Sequence, residues 1–542
     1  MPAKSAVIFL SVVLLAPLLV FLKRPFHIDD PLFIWVARHI QTDPLNPYGF
    51  AVNWYGFSMR MSEVTKNPPL ASYYIALMAF FVGWSEPALH LVFAAAAIAV
   101  AIGTYLISER FCQRPLLATL AALLTPVFFV SSLTVMCDVL MLSFWVFAVY
   151  FWMKGVDGSN HRSLLVGALL IAASSLTKYF GMVLVPLLFG YSLFRKRRIG
   201  WWSAYLAIPI VILGWYQWIT HRLYSRGLLL DAATYATQMK TDLAIFPIAK
   251  SYVAFAFTGG CIATVLFFCR QLWSRAVIIG GVLFMLAAAL VFANVSSIGS
   301  LSLPSDKSMH ILLGIQLALW GTAGISLIAL AALDLYRQRD SESLFLFTWI
   351  IGTFLFAGFI NWTMNGRSIL PMTIPAGIVI ARRLELRASP TADKMLPATV
   401  VPLLAGLALS FAVAWADTTF ADTARKGAIG IHEYYSAGRT VWFQGHWGFQ
   451  YYMEQMGGKP ADIKEPVATI GDVMAVPTTN TNVFALPSDW PARKVFDVPS
   501  TGWITTMNYQ LGAGFYADVL GPLPFVIGPV MPERFTVFEI KP

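Results

Sequence analysis

The feature that most constrains this chain is a succession of long apolar segments that contain almost no charged residue. A helix needs roughly 17 to 25 consecutive apolar residues to cross a bilayer. Of the 542 residues, 58% are hydrophobic and 12% are charged, against roughly 25% charged residues in a soluble domain. The chain is therefore predicted to be an all-α polytopic membrane protein, and a soluble multidomain enzyme is excluded. We expect about 13 transmembrane helices, at residues 5–22, 86–107, 115–131, 139–153, 163–176, 180–194, 201–219, 251–269, 276–293, 310–332, 343–361, 368–381 and 396–416.

The net charge of +10 reports membrane topology and not a nucleic-acid partner. A nucleic-acid site needs Lys and Arg clustered on one solvated face, whereas the basic residues here separate apolar segments. If the N terminus is cytoplasmic, every inner loop is basic, as the positive-inside rule requires. We therefore expect a multi-pass protein of the cytoplasmic (inner) membrane with its C-terminal part in the periplasm. The inner loops carry Arg110, Arg114, Lys154, Arg162, Arg195, Lys196, Arg197, Arg198, Arg270, Arg275, Arg337, Arg339, Arg382, Arg383, Arg387 and Lys394.

Two predicted regions divide the chain. Residues 1–416 hold the apolar segments, with a long outer loop over 23–85. Within that loop, residues 68–84 are expected to form a re-entrant or interfacial helix, because a further crossing would place the basic residues 195–198 outside. Residues 417–542 have a different composition and are predicted to form a small extracytoplasmic α/β domain.

The predicted C-terminal domain alternates turn-forming clusters with short apolar runs. The runs are residues 440–443 and 483–486, and residues 447–456 between them have the pattern of an amphipathic helix. Its aromatic residues suit either sugar stacking or ordinary core packing.

Acidic residues follow the first apolar segment in the sequence His27-Ile28-Asp29-Asp30-Pro31. Successive side chains of an extended segment point in opposite directions, so we expect one of the two carboxylates to face a cavity. Either one can also cap a helix that starts at Pro31. Capping is sufficient to explain Asp30, while Asp29 is left open between a catalytic and a structural role. His27 either tunes Asp29 or packs as a structural histidine.

Further polar residues lie at the outer ends of apolar segments, where ionisable groups are costly and often functional. Each also has a structural alternative. Lys66-Asn67-Pro68-Pro69 can be a rigid turn, Asp138 can favour a helix N terminus, and Lys178 can extend to the membrane surface. Arg367 lies at another such outer end, just before the predicted span 368–381.

The order of these motifs resembles that of a known family. An acidic pair, Pro68-Pro69-Leu70, the aspartate at 138, Leu-Thr-Lys ending at 178, and Arg367 followed by Leu-Pro follow one another along the chain. The pattern is similar to the GT-C class of integral-membrane glycosyltransferases. The groups most like it are the protein O-mannosyltransferases (glycosyltransferase family 39) and the lipid A aminoarabinose transferases. The similarity covers roughly the first 200 residues, with the motif at Arg367 as a later anchor.

The resemblance implies roles for particular residues. Asp29 matches the first acid of the family's Asp-Glu motif, which is the proposed general base, and Asp30 stands in place of the glutamate as the second expected catalytic acid. Lys178 and Arg367 match cations that bind the phosphate of a lipid-linked sugar, and Asp138 matches the aspartate of the family's fourth span. Pro68 and Pro69 match the Pro-Pro-Leu motif. Asn67 stands where the family has histidine or lysine, so we expect Lys66 to substitute as a cation that binds the donor phosphate, with Asn67 in a supporting role.

From this resemblance we expect an inverting glycosyltransferase that moves a sugar from a polyprenyl-phosphate-linked donor to a glycan, lipid or protein acceptor. Two alternatives stay open: a transporter or flippase of lipid-linked sugars, and a non-catalytic membrane-anchored protein that binds or assembles glycans. No cofactor is firmly implied. A divalent metal is possible in principle but unsupported, because no cluster of histidines and acids with ligand spacing is found.

Overall fold

The computed structural model describes residues 3–238, 247–298, 301–387, 395–435, 439–465 and 467–541, which are mostly helical. The helices are α1 (Ala3–Val20), α2 (Asp30–Thr42), α3 (Met61–Val64), α4 (Leu70–Val82), α5 (Glu86–Phe111), α6 (Pro115–Leu123), α7 (Pro126–Ser132), α8 (Cys137–Gly158), α9 (His161–Thr177), α10 (Leu184–Lys196), α11 (Ala207–Tyr224), α12 (Leu228–Gln238), α13 (Pro247–Cys261), α14 (Thr264–Phe267), α15 (Cys269–Leu272), α16 (Arg275–Asn294), α17 (Lys307–Gln338), α18 (Ser341–Leu355), α19 (Gly366–Ile369), α20 (Thr373–Arg387), α21 (Met395–Tyr435) and α22 (Trp447–Gln455). The strands are β1 (Ala51–Asn53), β2 (Ser58–Arg60), β3 (Ser297–Ile298), β4 (Leu301–Ser302), β5 (Val441–Phe443), β6 (Lys459–Pro460), β7 (Val473–Pro477), β8 (Ala492–Val498), β9 (Ile504–Thr505), β10 (Met507–Asn508), β11 (Ala513–Gly514), β12 (Val526–Ile527) and β13 (Glu533–Glu539).

Seven helical segments within the described ranges are long and apolar enough to cross a membrane. They are Glu86–Phe111, Cys137–Gly158, Trp201–Tyr224, Arg275–Asn294, Lys307–Gln338, Ser341–Ile360 and Ala398–Tyr435. Helices α6 and α7 add an eighth if they are taken as one span, although they meet at 70°. The bend lies at Thr125, whose backbone is extended before Pro126, as the residue preceding a proline prefers. The other predicted spans contain shorter or broken helices, so the count of 13 stays a prediction.

Helix α4 is the short helix predicted in the first outer loop. Its 13 residues extend about 20 Å at 1.5 Å per residue, less than the roughly 30 Å of a bilayer core. Two prolines precede it, and Pro69 is its N-cap residue. It ends at Gly83, whose φ of 82° is accessible to glycine without strain.

The C-terminal region contains a mixed five-stranded sheet of order β6-β5-β7-β13-β8. Strand β5 pairs in parallel with β6 and β7, while β13 is antiparallel to β7 and β8. Helix α22 connects β5 to β6, where the amphipathic pattern predicts it. Residues 483–486, by contrast, lie outside the strands. Helix α21 has 41 residues and runs through the predicted boundary at 416 and 417, so the sheet begins only after Tyr435.

Helix α8 relates the two ends of the membrane region. Its 22 residues extend about 33 Å, which matches a bilayer core. Asp138 lies in its first turn, and Asp157 near its last residue forms ion pairs with Arg110 and Arg195. The acidic residue that the sequence singles out and the predicted inner basic loops therefore lie at opposite ends of this helix.

Candidate active site

Asp29 lies immediately before α2 and presents its carboxylate to a cavity. It is the N-cap residue, yet its side chain makes no capping hydrogen bond. Its Oδ2 instead lies 3.0 Å from Nη1 of Arg367. The side chain is 27% exposed. The carboxylate is therefore bound by a cation across the cavity and does not cap its own helix.

Asp30 has a different environment, although it is the next residue. The expectation that it caps a helix starting at Pro31 is wrong, because α2 begins at Asp30 itself. Its carboxylate is fully buried and accepts backbone hydrogen bonds from His27 (2.9 Å) and Val135 (2.8 Å). Burial raises the pKa of Asp30 to about 7, which the nearby positive charge of Arg24 opposes. Asp30 is not among the cavity-lining residues, and its contacts indicate that it fixes the segment leading into α8.

The ring nitrogens of His27 make no hydrogen bond to Asp29 among the described residues, and its tuning of Asp29 stays a prediction. Its ring is buried against Phe420, Trp447 and Tyr516. Neither ring nitrogen has a hydrogen-bond partner among the described residues. Burial lowers its pKa, so the ring is a neutral packing element.

Arg367 lies in the one-turn helix α19 and faces the same cavity. Asn365 caps this turn, with its side chain accepting the backbone N–H of Ser368. The guanidinium Nη1 lies 3.0 Å from Asp29 and 4.0 Å from Asp138. Burial by itself would lower the pKa of Arg367, but the nearby negative charges, chiefly those of Asp29 and Asp138, together raise it above its ordinary value, so the side chain is cationic throughout the physiological range. Its Nε is buried and has no hydrogen-bond partner in the described structure.

Lys178 ends α9, where its backbone becomes extended. Its Nζ lies 2.5 Å from Oδ1 of Asp138, whose side chain is fully buried. The chain then turns sharply through Gly181, where a Cβ would approach the carbonyl carbon of Ser174 to 2.4 Å. Only glycine permits this approach, so the turn that presents Lys178 depends on Gly181.

The Lys66–Pro69 motif contributes to the cavity wall. Lys66 donates to Asp231 at 2.8 Å and lies 5.2 Å above the ring of Tyr235. Asn67 and Pro68 also line the cavity, whereas Pro69 caps α4 behind them. The motif therefore brings a cation to the site, but one that already has an acidic partner.

These residues surround a single cavity of about 410 Å³. Asp29, Lys66, Lys178 and Arg367 all line it, so residues separated by more than 300 positions converge. Asp138 does not line the cavity but contacts two residues that do, Lys178 and Arg367. The volume and the mixture of charged and aromatic walls are typical of a small-molecule site.

Sequence reasoning missed the aromatic wall of this cavity. Tyr55 and Tyr235 are joined by a side-chain hydrogen bond, and Trp362 packs edge-on against Tyr235 at 5.9 Å. Burial raises the pKa of Tyr55, so its hydroxyl remains a neutral donor. Tyr235 and Asp231 lie on α12, between the predicted spans 201–219 and 251–269, where the sequence shows no motif. Only the folded chain brings α12 over the cavity.

A metal site finds no support in the described part of the chain, where no group of three or more histidines, cysteines or acids lies close enough to hold an ion. The carboxylates at the cavity are paired with Arg367, Lys178 and Lys66. This arrangement suits binding of an anion beside a base, because fixed cations stabilise negative charge in a site of low dielectric.

Comparison with known proteins supports the resemblance drawn from the motifs. Residues 66–221 match the model of the dolichyl-phosphate-mannose-protein mannosyltransferase family. This segment is less than a third of the chain; it contains Lys66, Asp138 and Lys178 but neither Asp29 nor Arg367. A search of curated proteins found no match. The predicted similarity to protein mannosyltransferases is thus confirmed over the matched segment.

Solved structures of low sequence identity also align with the chain. An oligosaccharyltransferase from Archaeoglobus fulgidus in the apo form has a TM-score of 0.48 and 13% identity, over 87% of this chain and 66% of its own. ArnT from Cupriavidus metallidurans, bound to undecaprenyl phosphate, has a TM-score of 0.46 and 13% identity, over 87% and 93%. The apo form of ArnT has a TM-score of 0.44 and 12% identity, over 88% and 94%. The chain thus spans just under two thirds of the length of the oligosaccharyltransferase.

Proposed function

We propose that this chain is an inverting glycosyltransferase that transfers a sugar from a polyprenyl-phosphate-linked donor to an acceptor at the outer face of the cytoplasmic membrane. One observation carries the proposal. A carboxylate, Asp29, and two cations, Lys178 and Arg367, line the same cavity. Transfer from a phosphate-linked sugar requires these groups, because the leaving phosphate gains negative charge while the acceptor loses a proton.

The two cations retain the capacity to bind a phosphate. Arg367 carries five N–H donors and uses Nη1 for Asp29, and Lys178 has three N–H donors and gives one to Asp138. The donor phosphate is expected to bind between these cations, with the forked guanidinium contacting two of its oxygens. Both would then stabilise the charge that develops as the bond between the sugar carbon and the phosphate oxygen breaks.

Asp29 is assigned as the general base. It would accept a proton from the acceptor hydroxyl or amine as that group attacks the anomeric carbon on the face opposite the phosphate. This geometry inverts the configuration at the sugar carbon. Asp30 is not assigned to the reaction, because its carboxylate is buried and bonded to two backbone amides.

The ends of the helices support an outer location for the reaction. The cavity lies at the end of α8 that begins with Asp138, and the basic residues Arg110 and Arg195 lie at its other end. Basic loops stay in the cytoplasm by the positive-inside rule. This arrangement supports the proposal that the cavity opens on the periplasmic side, where a lipid-linked sugar would present its headgroup.

The deciding experiment is sugar transfer by the purified full chain in lipid nanodiscs. A panel of polyprenyl-phosphate sugars would be supplied with glycan, lipid and peptide acceptors, and product would be identified by mass spectrometry and by its anomeric NMR signal. Transfer with inversion supports the proposal. Movement of the lipid-linked sugar across a proteoliposome membrane without transfer would support a flippase instead, and glycan binding with neither activity would support an assembly protein.

A further inference from the structure

We propose that Tyr516, in the C-terminal segment, is a positioning residue that aims the guanidinium group of Arg367 into the cavity. The inference rests on the role of Arg367 in the proposed function and gives the C-terminal segment a part in it. Nothing in the sequence links these two residues, which are about 150 positions apart. The guanidinium carbon of Arg367 lies 5.3 Å from the centre of the Tyr516 ring, within the range of a cation–π contact.

The turn that carries Arg367 is attached to the C-terminal segment through its backbone. The N–H of Gly366 donates to the carbonyl oxygen of Phe515 at 2.7 Å, and the N–H of Asp518 donates to the carbonyl oxygen of Met364 at 2.9 Å. A Cβ at Gly366 would meet the Phe515 ring at 2.7 Å, so the two chains approach as closely as glycine allows. These contacts lie on both sides of Tyr516 and just before Arg367, and they fix one backbone segment against the other.

The Tyr516 ring is itself fixed by a buried polar network. Its hydroxyl donates to Asp417 at 2.9 Å, and the same carboxylate accepts a 2.7 Å hydrogen bond from Arg24. All three side chains are buried. Arg24 and Asp417 have side chains of zero exposure, so their charges must remain paired and their positions are closely specified.

The network continues to the other wall of the Arg367 site. Arg24 donates to the carbonyl oxygen of Leu133 at 2.7 Å and lies 3.6 Å from Asp30, which in turn binds the backbone N–H of Val135. This segment ends at Met136, whose sulfur lies 3.0 Å from Nη1 of Arg367. The same buried arginine therefore fixes both Tyr516 and the segment that contacts the guanidinium.

A fixed ring matters because arginine has a long side chain with many rotamers, which cost free energy to order. Removing the ring would leave Arg367 restrained by Asp29, Asp138 and Met136, which all contact the single nitrogen Nη1, so the nitrogens left for the donor phosphate would be held less firmly. A displacement of about 1 Å at a catalytic group can reduce a rate by roughly a hundredfold. We expect loss of the ring to reduce kcat/KM for the lipid-linked donor roughly ten- to thirtyfold, which is below that limit.

The test compares variants of the full chain in nanodiscs. Tyr516→Leu removes the ring, Tyr516→Phe keeps the ring and removes the hydroxyl, and Tyr509→Leu makes the same change at an exposed tyrosine of the same segment. We expect a ten- to thirtyfold loss of kcat/KM in Tyr516→Leu, recovery to within about threefold of the wild type in Tyr516→Phe, and no change in Tyr509→Leu. Equal losses in the two Tyr516 variants would overturn the proposal.

A double-mutant cycle separates positioning from general damage to the fold. If Tyr516 acts through Arg367, Tyr516→Leu should cause no further loss in an Arg367→Ala background. A full, additive loss in that background would show that the ring supports the fold and not the cation, and would overturn the proposal.

Chemical modification distinguishes failure of this inference from failure of the proposed function. If the wild type transfers no sugar, the proposed function is wrong, and the rate at which phenylglyoxal modifies Arg367 then decides the positioning role. The positioning role is supported if phenylglyoxal modifies Arg367 faster in Tyr516→Leu than in the wild type, and at the wild-type rate in Tyr516→Phe. An unchanged rate in Tyr516→Leu refutes it.

Discussion

Exchange of the adjacent acids Asp29 and Asp30 for asparagine should separate catalysis from folding. Each exchange keeps the shape of the side chain and removes its charge. Asp29 is partly exposed, and among the described residues its carboxylate bonds only to Arg367. Asparagine keeps an oxygen that can accept from this guanidinium, and Asp138 remains 4.0 Å from it, so Asp29→Asn should cost only about 1 kcal/mol of stability. Loss of a general base lowers a rate by about 10²–10⁴, which corresponds to about 2.7–5.4 kcal/mol of transition-state stabilisation. We therefore expect a large fall in kcat with little change in melting temperature.

Asp30→Asn should give the reverse result. Both carboxylate oxygens of Asp30 accept a backbone N–H, from His27 and from Val135. An asparagine supplies one acceptor oxygen, so one of these buried donors faces an NH₂ group. Leaving a buried donor unsatisfied costs about 1–3 kcal/mol. We expect a lower melting temperature and lower yield, while the folded molecules keep their kcat within about tenfold of the wild type because Asp30 does not line the cavity.

The assay is transfer from a polyprenyl-phosphate sugar in nanodiscs, with kcat normalised to the folded fraction and melting followed by intrinsic fluorescence. Asp29→Glu serves as the control that keeps the charge. The reasoning would be refuted by full activity in Asp29→Asn. It would equally be refuted by a hundredfold loss of kcat in Asp30→Asn at an unchanged melting temperature, since that pattern would make Asp30 the base.

Three further predictions concern the cations and the C-terminal region. Lys178→Gln removes a charge at the cavity and leaves the buried Asp138 without its 2.5 Å partner; donor KM should rise at least about tenfold, with partial recovery in Lys178→Arg. Lys66→Met should raise donor KM less than Lys178→Gln does, because Asp231 keeps its ion pair with Arg226 when Lys66 is lost, whereas loss of Lys178 leaves the buried Asp138 with only the more distant Arg367 among its described ion-pair partners. Burial lowers the pKa of His446 to about 3, below its unfolded value of about 6.5, so its stabilising contribution is present above pH 6.5 and is lost as the pH falls. Between pH 7 and 5 the wild type should lose about 2 kcal/mol relative to His446→Gln, measured from unfolding curves.

Opposite outcomes would refute these expectations. An unchanged donor KM in Lys178→Gln would remove that lysine from the phosphate site. A larger effect from Lys66→Met than from Lys178→Gln would make Lys66 the main phosphate contact. A constant stability difference between the wild type and His446→Gln from pH 7 to pH 5 would show that His446 binds a proton equally well in the folded and unfolded states.

Much of the candidate site could be predicted from the sequence, because its charged residues lie at the borders of apolar segments. Asp29, Lys178 and Arg367 interrupt or end such segments, and the order of the motifs identified them. The distinction between Asp29 and Asp30 could not be predicted. It depends on the backbone amide of Val135, a residue more than 100 positions away, which occupies one carboxylate and not the other.

Boundaries were less predictable than the existence of elements. The span predicted to end at 416 continues as a helix to Tyr435, because residues 417–435 keep a helical pattern while their composition becomes more polar. Composition indicates where a helix leaves an apolar environment, but it does not indicate where the backbone hydrogen bonds of the helix stop. The domain division at 416 and 417 is consequently a prediction that falls inside one continuous helix.

The sequence by itself determined that this chain is a helical membrane protein with its candidate site charges at segment borders, since apolar length and the cost of buried charge act locally along the chain. The tertiary structure alone decided which of those charges meet. It brought Asp29 to Arg367 and Lys178 to Asp138, placed α12 over the cavity, and inserted the Tyr516 ring beside the guanidinium. The physical reason is that ion pairs and ring contacts depend on distance in space, and residues far apart in sequence become neighbours only when the helices pack.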